Sequence, residues 1–194
     1  MEGETMSSRL PITTMVLVVA SALASPAGAV TEIGLHMADA SFLGEASGDE
    51  AGTTVAEAGD VNADGYADLL IGAPLGDDGG VDAGEVYLVL GAPAGLVVDM
   101  PLSSVGASFV GEDSGDSAGI AIGGGGDVDG DGYSDFLIGA PYSSNGGLNA
   151  GRAYLVFGGS TGWPHGTSLA DADVVFSAEG DTNLAGFERR RGGP

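Results

Sequence analysis

"DVDGDGYSD" at residues 127–135, followed at once by "FLIGAP" at 136–141, places four aspartates in nine residues directly upstream of an apolar run. A second copy, "DVNADGYADLLIGAP", occupies residues 60–74, with Asp, Asn, Asp and Asp in its first, third, fifth and ninth places. A solvated acidic turn and a cation cage both use Asp and Gly between strands, and the spacing of the acids separates the two. Alternate residues of a tight loop turn toward one centre, and a hard cation such as Ca2+ takes six to eight oxygens at roughly 2.3–2.6 Å. Asp60, Asn62, Asp64 and Asp68 meet that demand, as do Asp127, Asp129, Asp131 and Asp135. Tyr66 and Tyr133, in the seventh place, offer backbone carbonyls. Gly65 and Gly132 follow the third ligand, where a sharp turn leaves no room for a Cβ. Two Ca2+ sites are therefore expected. Four carboxylates gathered without a cation would repel one another strongly, which counts against a bare acidic turn.

An EF-hand is the near rival, but its twelfth place needs a bidentate Glu, and here that place holds Ile71 and Ile138. A dockerin-like loop shares the spacing and should lead into a helix. The runs that follow these loops are too short and too apolar for one.

The two loops belong to a repeat of 67 residues. "ASFLGE" at 40–45 matches "ASFVGE" at 107–112, "IGAP" at 71–74 matches 138–141, and "AGEVYLVLG" at 83–91 matches "AGRAYLVFG" at 150–158. A third copy starts near Val175 and Phe176, with Ala185-Gly186 matching Ala118-Gly119 and Ala51-Gly52. Within a unit the elements read as short strands. Residues 69–73 and 136–140 are apolar runs ended by Pro, and 87–90 and 154–157 are aromatic and branched runs bounded by Gly. Gly, Asp, Asn and Ser fill the gaps with turn chemistry. About four strands per unit is the size of a propeller blade.

These motifs resemble the FG-GAP repeats of the integrin alpha-subunit propeller over roughly residues 40–186. The resemblance implies an all-β fold of FG-GAP/integrin-alpha-like β-propeller blades, with two full blades and the start of a third forming a partial propeller. The expected divisions are a signal peptide at 1–29, blades at 30–106 and 107–173, the start of a third at 174–187 and a non-repeat tail at 188–194. One departure is visible, since Ala replaces the Phe of the Phe-Gly pair at Ala51, Ala118 and Ala185.

The chain has 194 residues, 37 of them Gly, with no Cys, no Lys and a net charge of -23. It is thus neither a disulfide-stapled miniprotein nor a nucleic-acid binder. An apolar content of 43% suffices for a packed core. Arg9, the apolar stretch at 10–24 and Ala27-Gly28-Ala29 read as a secretory signal cut after Ala29, too short for a membrane span. No membrane span is expected after cleavage, and the mature chain is expected to be secreted or at the cell surface.

Several motifs invite other readings. "GDSAG" at 115–119 spells a nucleophile elbow around Ser117, but the repeat equivalents are Glu50 and Leu184, so the glycines are repeat punctuation. "GGGG" at 123–126 precedes an acidic loop that would repel a pyrophosphate, and reads as a glycine-rich strand end. His36 and His165 imply no partner. Arg189-Arg190-Arg191 breaks the repeat pattern where an apolar strand is due.

No catalytic residues are expected. The leading expectation is a structural, adhesive or ligand-binding module for an extracellular protein or glycan, with self-association through open blade edges. The competing classes are a propeller appendage of a secreted hydrolase or lectin and a surface-layer component.

Overall fold

The computed structural model describes residues 15–16 and 40–178. The signal-peptide reading, His36, the remainder of the third copy and Arg189-Arg190-Arg191 fall mostly or wholly outside these. The chain enters through β1 (Met15–Val16) and β2 (Phe42–Leu43), then forms β3 (Thr54–Gly59), β4 (Asp68–Ala73), β5 (Glu85–Val89), a short β6 (Met100–Pro101) and β7 (Ala107–Val110). The pattern returns as β8 (Ala121–Gly126), β9 (Asp135–Ala140), β10 (Arg152–Val156), a short β11 (Thr167–Ser168) and β12 (Val174–Ser177). Among the described residues helix is confined to two 3-10 turns, Leu102–Ser104 and Leu169–Asp171.

The order β3-β4-β5-β7 makes an antiparallel sheet, extended by β11 running parallel to β7. The order β8-β9-β10-β12 makes its twin. β6 pairs in parallel with β2, as β11 does with β7 one repeat later. The sheets are out of phase with the sequence period. Ala107–Val110 lies at the head of the second sequence unit yet closes the first sheet, and Val174–Ser177, from the third unit, closes the second. Each sheet thus completes itself with a strand from the unit that follows.

Side chains alternate across a strand, so each sheet presents two apolar faces. Leu70, Val86, Leu88 and Phe109 of the first sheet meet Phe136, Ile138, Tyr154 and Val156 of the second in one core. Ile71, Tyr87 and Val89 turn the other way, onto Phe42, Leu102 and Val105. The Phe109 and Phe136 rings pack edge to face with centroids 5.3 Å apart, and Trp163 lies 6.2 and 6.1 Å from them. The single Trp therefore caps this core. The glycine run at 123–126 forms the second half of β8, and a Cβ on Gly124 would stand 2.5 Å from the Glu57 carbonyl. Glycine is what lets β8 lie against β3.

Among the described residues, nothing covers the second sheet's far face. Val61, Leu70 and Phe109 are 0%, 0% and 2% exposed, whereas their repeat equivalents Val128, Leu137 and Phe176 are 56%, 39% and 52% exposed. Ser117, the elbow candidate, has φ +50°, and its equivalent Glu50 has φ +55°. The bend is a property of the repeat, with no nucleophile required.

Candidate metal centres

Each acidic loop begins at a bulge. The β3–β4 register shifts between Glu57 and Gly59, and the β8–β9 register shifts between Gly124 and Gly126. A bulge bends its strand and re-aims the chain. Here the extra residue is followed by Gly59 and Gly126 at φ +86° and +69°, immediately before Asp60 and Asp127. The loops then fold around their own carboxylates. Asp60 accepts from the Asp64 and Gly65 amides at 3.0 and 2.9 Å, Asn62 from Asp64 at 3.0 Å, and Asp64 from Tyr66 at 2.9 Å. In the second loop Asp127 accepts from Gly130, Asp131 and Gly132 at 2.7, 3.0 and 3.0 Å. Asp129 accepts from the Asp131 amide at 3.1 Å, and Asp131 from the Tyr133 amide at 3.0 Å. Gly65 and Gly132 adopt φ +90° and +97°, conformations that disfavour any Cβ.

The last acid of each loop is buried and does a different job. Asp68 accepts from the Val61 and Gly91 amides at 2.8 and 2.7 Å, and Asp135 accepts from Val128 and Gly158 at 2.6 and 2.9 Å. Each carboxylate therefore ties the start of its loop to the end of the third strand of its sheet. Burial raises the Asp68 carboxyl above its usual range against the pull of the Gly91 and Val61 amides, with Asp64 and Asp60 adding repulsion. Asp129 is raised as well, by desolvation and then by Asp131, Asp135 and Asp127.

Carboxylate oxygens of Asp127, Asp129 and Asp135 lie within 4.8 Å of one another. This is the spacing of oxygens sharing one hard cation, and the donor set, all oxygen, suits Ca2+ over a softer metal. Asp131 stands outside that group. The first loop carries Asn62 where the second has Asp129, and among the described residues it brings no three acids equally close.

Away from the loops, one cluster was hidden in the sequence. In the second sheet Glu112 accepts from Arg152 at 2.7 Å and from the Tyr154 hydroxyl at 2.9 Å. The first sheet has Glu45 and Tyr87 in the equivalent places, but Glu85 replaces the arginine. The Tyr87 hydroxyl donates to Glu85 Oε2 at 2.7 Å, and Oε1 is buried without a hydrogen-bond partner. Burial raises the Glu85 carboxyl, as do Asp78 and Glu45, while the Ser108 and Tyr87 hydroxyls pull it down. His165 joins this cluster, which corrects the expectation that it has no partner. Its Nδ1 is 2.9 Å from Ser108 Oγ, and its Nε2 is 3.3 Å from the Leu102 carbonyl and 4.0 Å from Glu45. Ser, His and Glu recur in hydrolases, yet Ser108 is wholly buried within a strand, and its oxygen already accepts from the Gly166 amide at 2.8 Å. A substrate carbonyl has no approach to it. Residue type alone could not reveal this cluster, because Glu85 and His165 lie 80 positions apart.

Antiparallel sheets stacked face to face, each with an acidic loop between its first two strands, are blades of a β-propeller. The chain carries FG-GAP repeats: the family model "FG-GAP repeat" matches residues 51–89 and 118–156. It is similar to integrin alpha pat-2 of Caenorhabditis briggsae, 36% identical over 110 residues, covering 57% of this chain and 9% of that protein. It is also similar to integrin alpha-5 of Xenopus laevis, 39% identical over 90 residues, covering 46% of this chain and 8% of that one. Integrin alpha-IIb of Mus musculus is 35% identical over 95 residues, with 46% and 8% covered. The matched segment spans less than a tenth of these relatives.

Proposed function

We propose that the chain is a secreted, Ca2+-binding FG-GAP module with a structural, adhesive or ligand-binding role rather than a catalytic one. The observation that carries the ion is the paired loop: inward carboxylates in alternate places, with a buried aspartate fastening each loop to its sheet. Asp60, Asn62, Asp64, Asp68 and the Tyr66 carbonyl would hold one ion, and Asp127, Asp129, Asp131, Asp135 and the Tyr133 carbonyl the other. Bound Ca2+ supplies positive charge that relieves repulsion among these acids. The adhesive part of the reading rests on the similarity to integrin alpha subunits. Secretion rests on the leader read in the sequence. Among the described residues no helix is long and apolar enough to cross a membrane. The exposed Val128, Leu137 and Phe176 favour packing against a further blade or a second chain.

Ligands that bind only the folded chain stabilise it by mass action, by about 2.7 kcal/mol at a hundredfold excess over Kd. Chelation is therefore expected to lower the melting temperature of the full chain, and calcium to restore it. An unmoved melting curve together with no calorimetric heat on calcium addition overturns the ion assignment.

A further inference from the structure

The two acidic loops touch each other through Asp60, a candidate ligand of the first ion site, and Ser134, which lies between two candidate ligands of the second. Ser134, between the seventh and ninth places of the second loop, donates its backbone N–H to the Asp60 carbonyl at 3.0 Å. Its hydroxyl oxygen accepts from the Asp60 N–H at 3.2 Å. The fit is close: a Cβ on Gly59 would meet Ser134 Oγ at 2.4 Å. A second link runs beside it. Gly158 donates to Asp135 at 2.9 Å while its neighbour Gly159 donates to the Val61 carbonyl at 2.8 Å. The first ligand of one loop is thus clamped by the residue adjoining the last ligand of the other. The first loop has Ala67 in the place of Ser134, so the hydroxyl belongs to this junction and is not a repeat-wide feature.

We propose that Ser134 couples the two loops, so that an ion in either raises the affinity of the other. The inference rests on the ion reading above. A loop closed around a cation has the backbone of its first, seventh and ninth residues fixed. Fixing Tyr133 and Asp135 fixes Ser134, and with it the donor and acceptor that hold Asp60 in place. The second ion then binds a loop whose ordering is already partly accomplished. Repulsion between the two cations acts in the opposite sense and is weakened at physiological salt, where the screening length is about 8 Å. The sign of the coupling therefore separates the contact route from the through-space one.

The test is calorimetric calcium titration of the full 194-residue chain in about 0.15 M salt. Disabling the second loop with Asp129→Asn and Asp131→Asn is expected to weaken the first about fivefold or more. Disabling the first with Asn62→Ala and Asp64→Asn should weaken the second by the same factor, because coupling is reciprocal. In a Ser134→Ala background, which loses the hydroxyl acceptor but keeps the backbone links, each effect should shrink about twofold or more, and Ser134→Thr should restore it. The reciprocal measurement stands even where Ser134→Ala melts poorly. Two ions bound independently, negative coupling, or coupling unchanged in a well-folded Ser134→Ala overturns the proposal and leaves the ion reading intact. Absence of any calcium heat overturns both.

Discussion

Glu85 shows how much one substitution between repeats can change. Where the second sheet has Arg152 bound to Glu112, the first has Glu85 in the arginine's place beside Glu45, with Glu85 only 2% exposed. A carboxyl raised by burial holds its proton more tightly folded than unfolded. The folded chain then binds more protons, so stability falls as pH climbs from the ordinary value of 4.5 through the raised one, and is flat above it. Glu85→Gln removes the titration and the cost of holding a carboxylate in a buried place. It is expected to raise stability near neutral pH by about 1 kcal/mol and to flatten this part of the pH dependence in urea denaturation. A variant no more stable than the parent at neutral pH means that Glu85 is satisfied in a way this geometry does not provide. Asp78 and Glu45 act on the group, and His165, Asp78 and Asp49 act on Glu45, so the comparison with the parent at each pH isolates its share.

At the level of the element, the inner strands decide how closely blades pack. Gly124 faces the Glu57 carbonyl at a distance no Cβ tolerates, whereas a Cβ on Gly123 would meet nothing within 4 Å. Gly124→Ala is expected to destabilise the chain by about 2 kcal/mol or more, because backbone must move, and Gly123→Ala to be near neutral. Equal effects in denaturant titrations would show that β8 does not abut β3 in this way. Here the sequence was partly legible. The apolar runs at 69–73 and 136–140 announced β4 and β9, since a short run ended by Pro has little choice but to be a buried strand. The nine-residue spacing announced the loops. The clamp at Ser134 and the docking of His165 on Ser108 were not legible, because they join segments more than 50 positions apart whose meeting depends on how the two sheets stack.

For the whole molecule, the period of 67 residues named the architecture, but not which sheet each strand would join. A short apolar strand such as Ala107–Val110 reads the same whether it opens one blade or closes another. The repeat also supplies its own control experiment. Phe109 and Phe176 are equivalent residues with opposite surroundings, one sealed between sheets and the other exposed. Phe109→Ala is expected to cost about 3–5 kcal/mol. Phe176→Ala should cost less than about 1 kcal/mol while reducing any self-association seen by sedimentation. Comparable losses at both positions would mean that the far face is covered in solution. Because both described sheets are sealed by a strand lent from the following unit, a fragment cut at the 67-residue period would lose the fourth strand of its sheet.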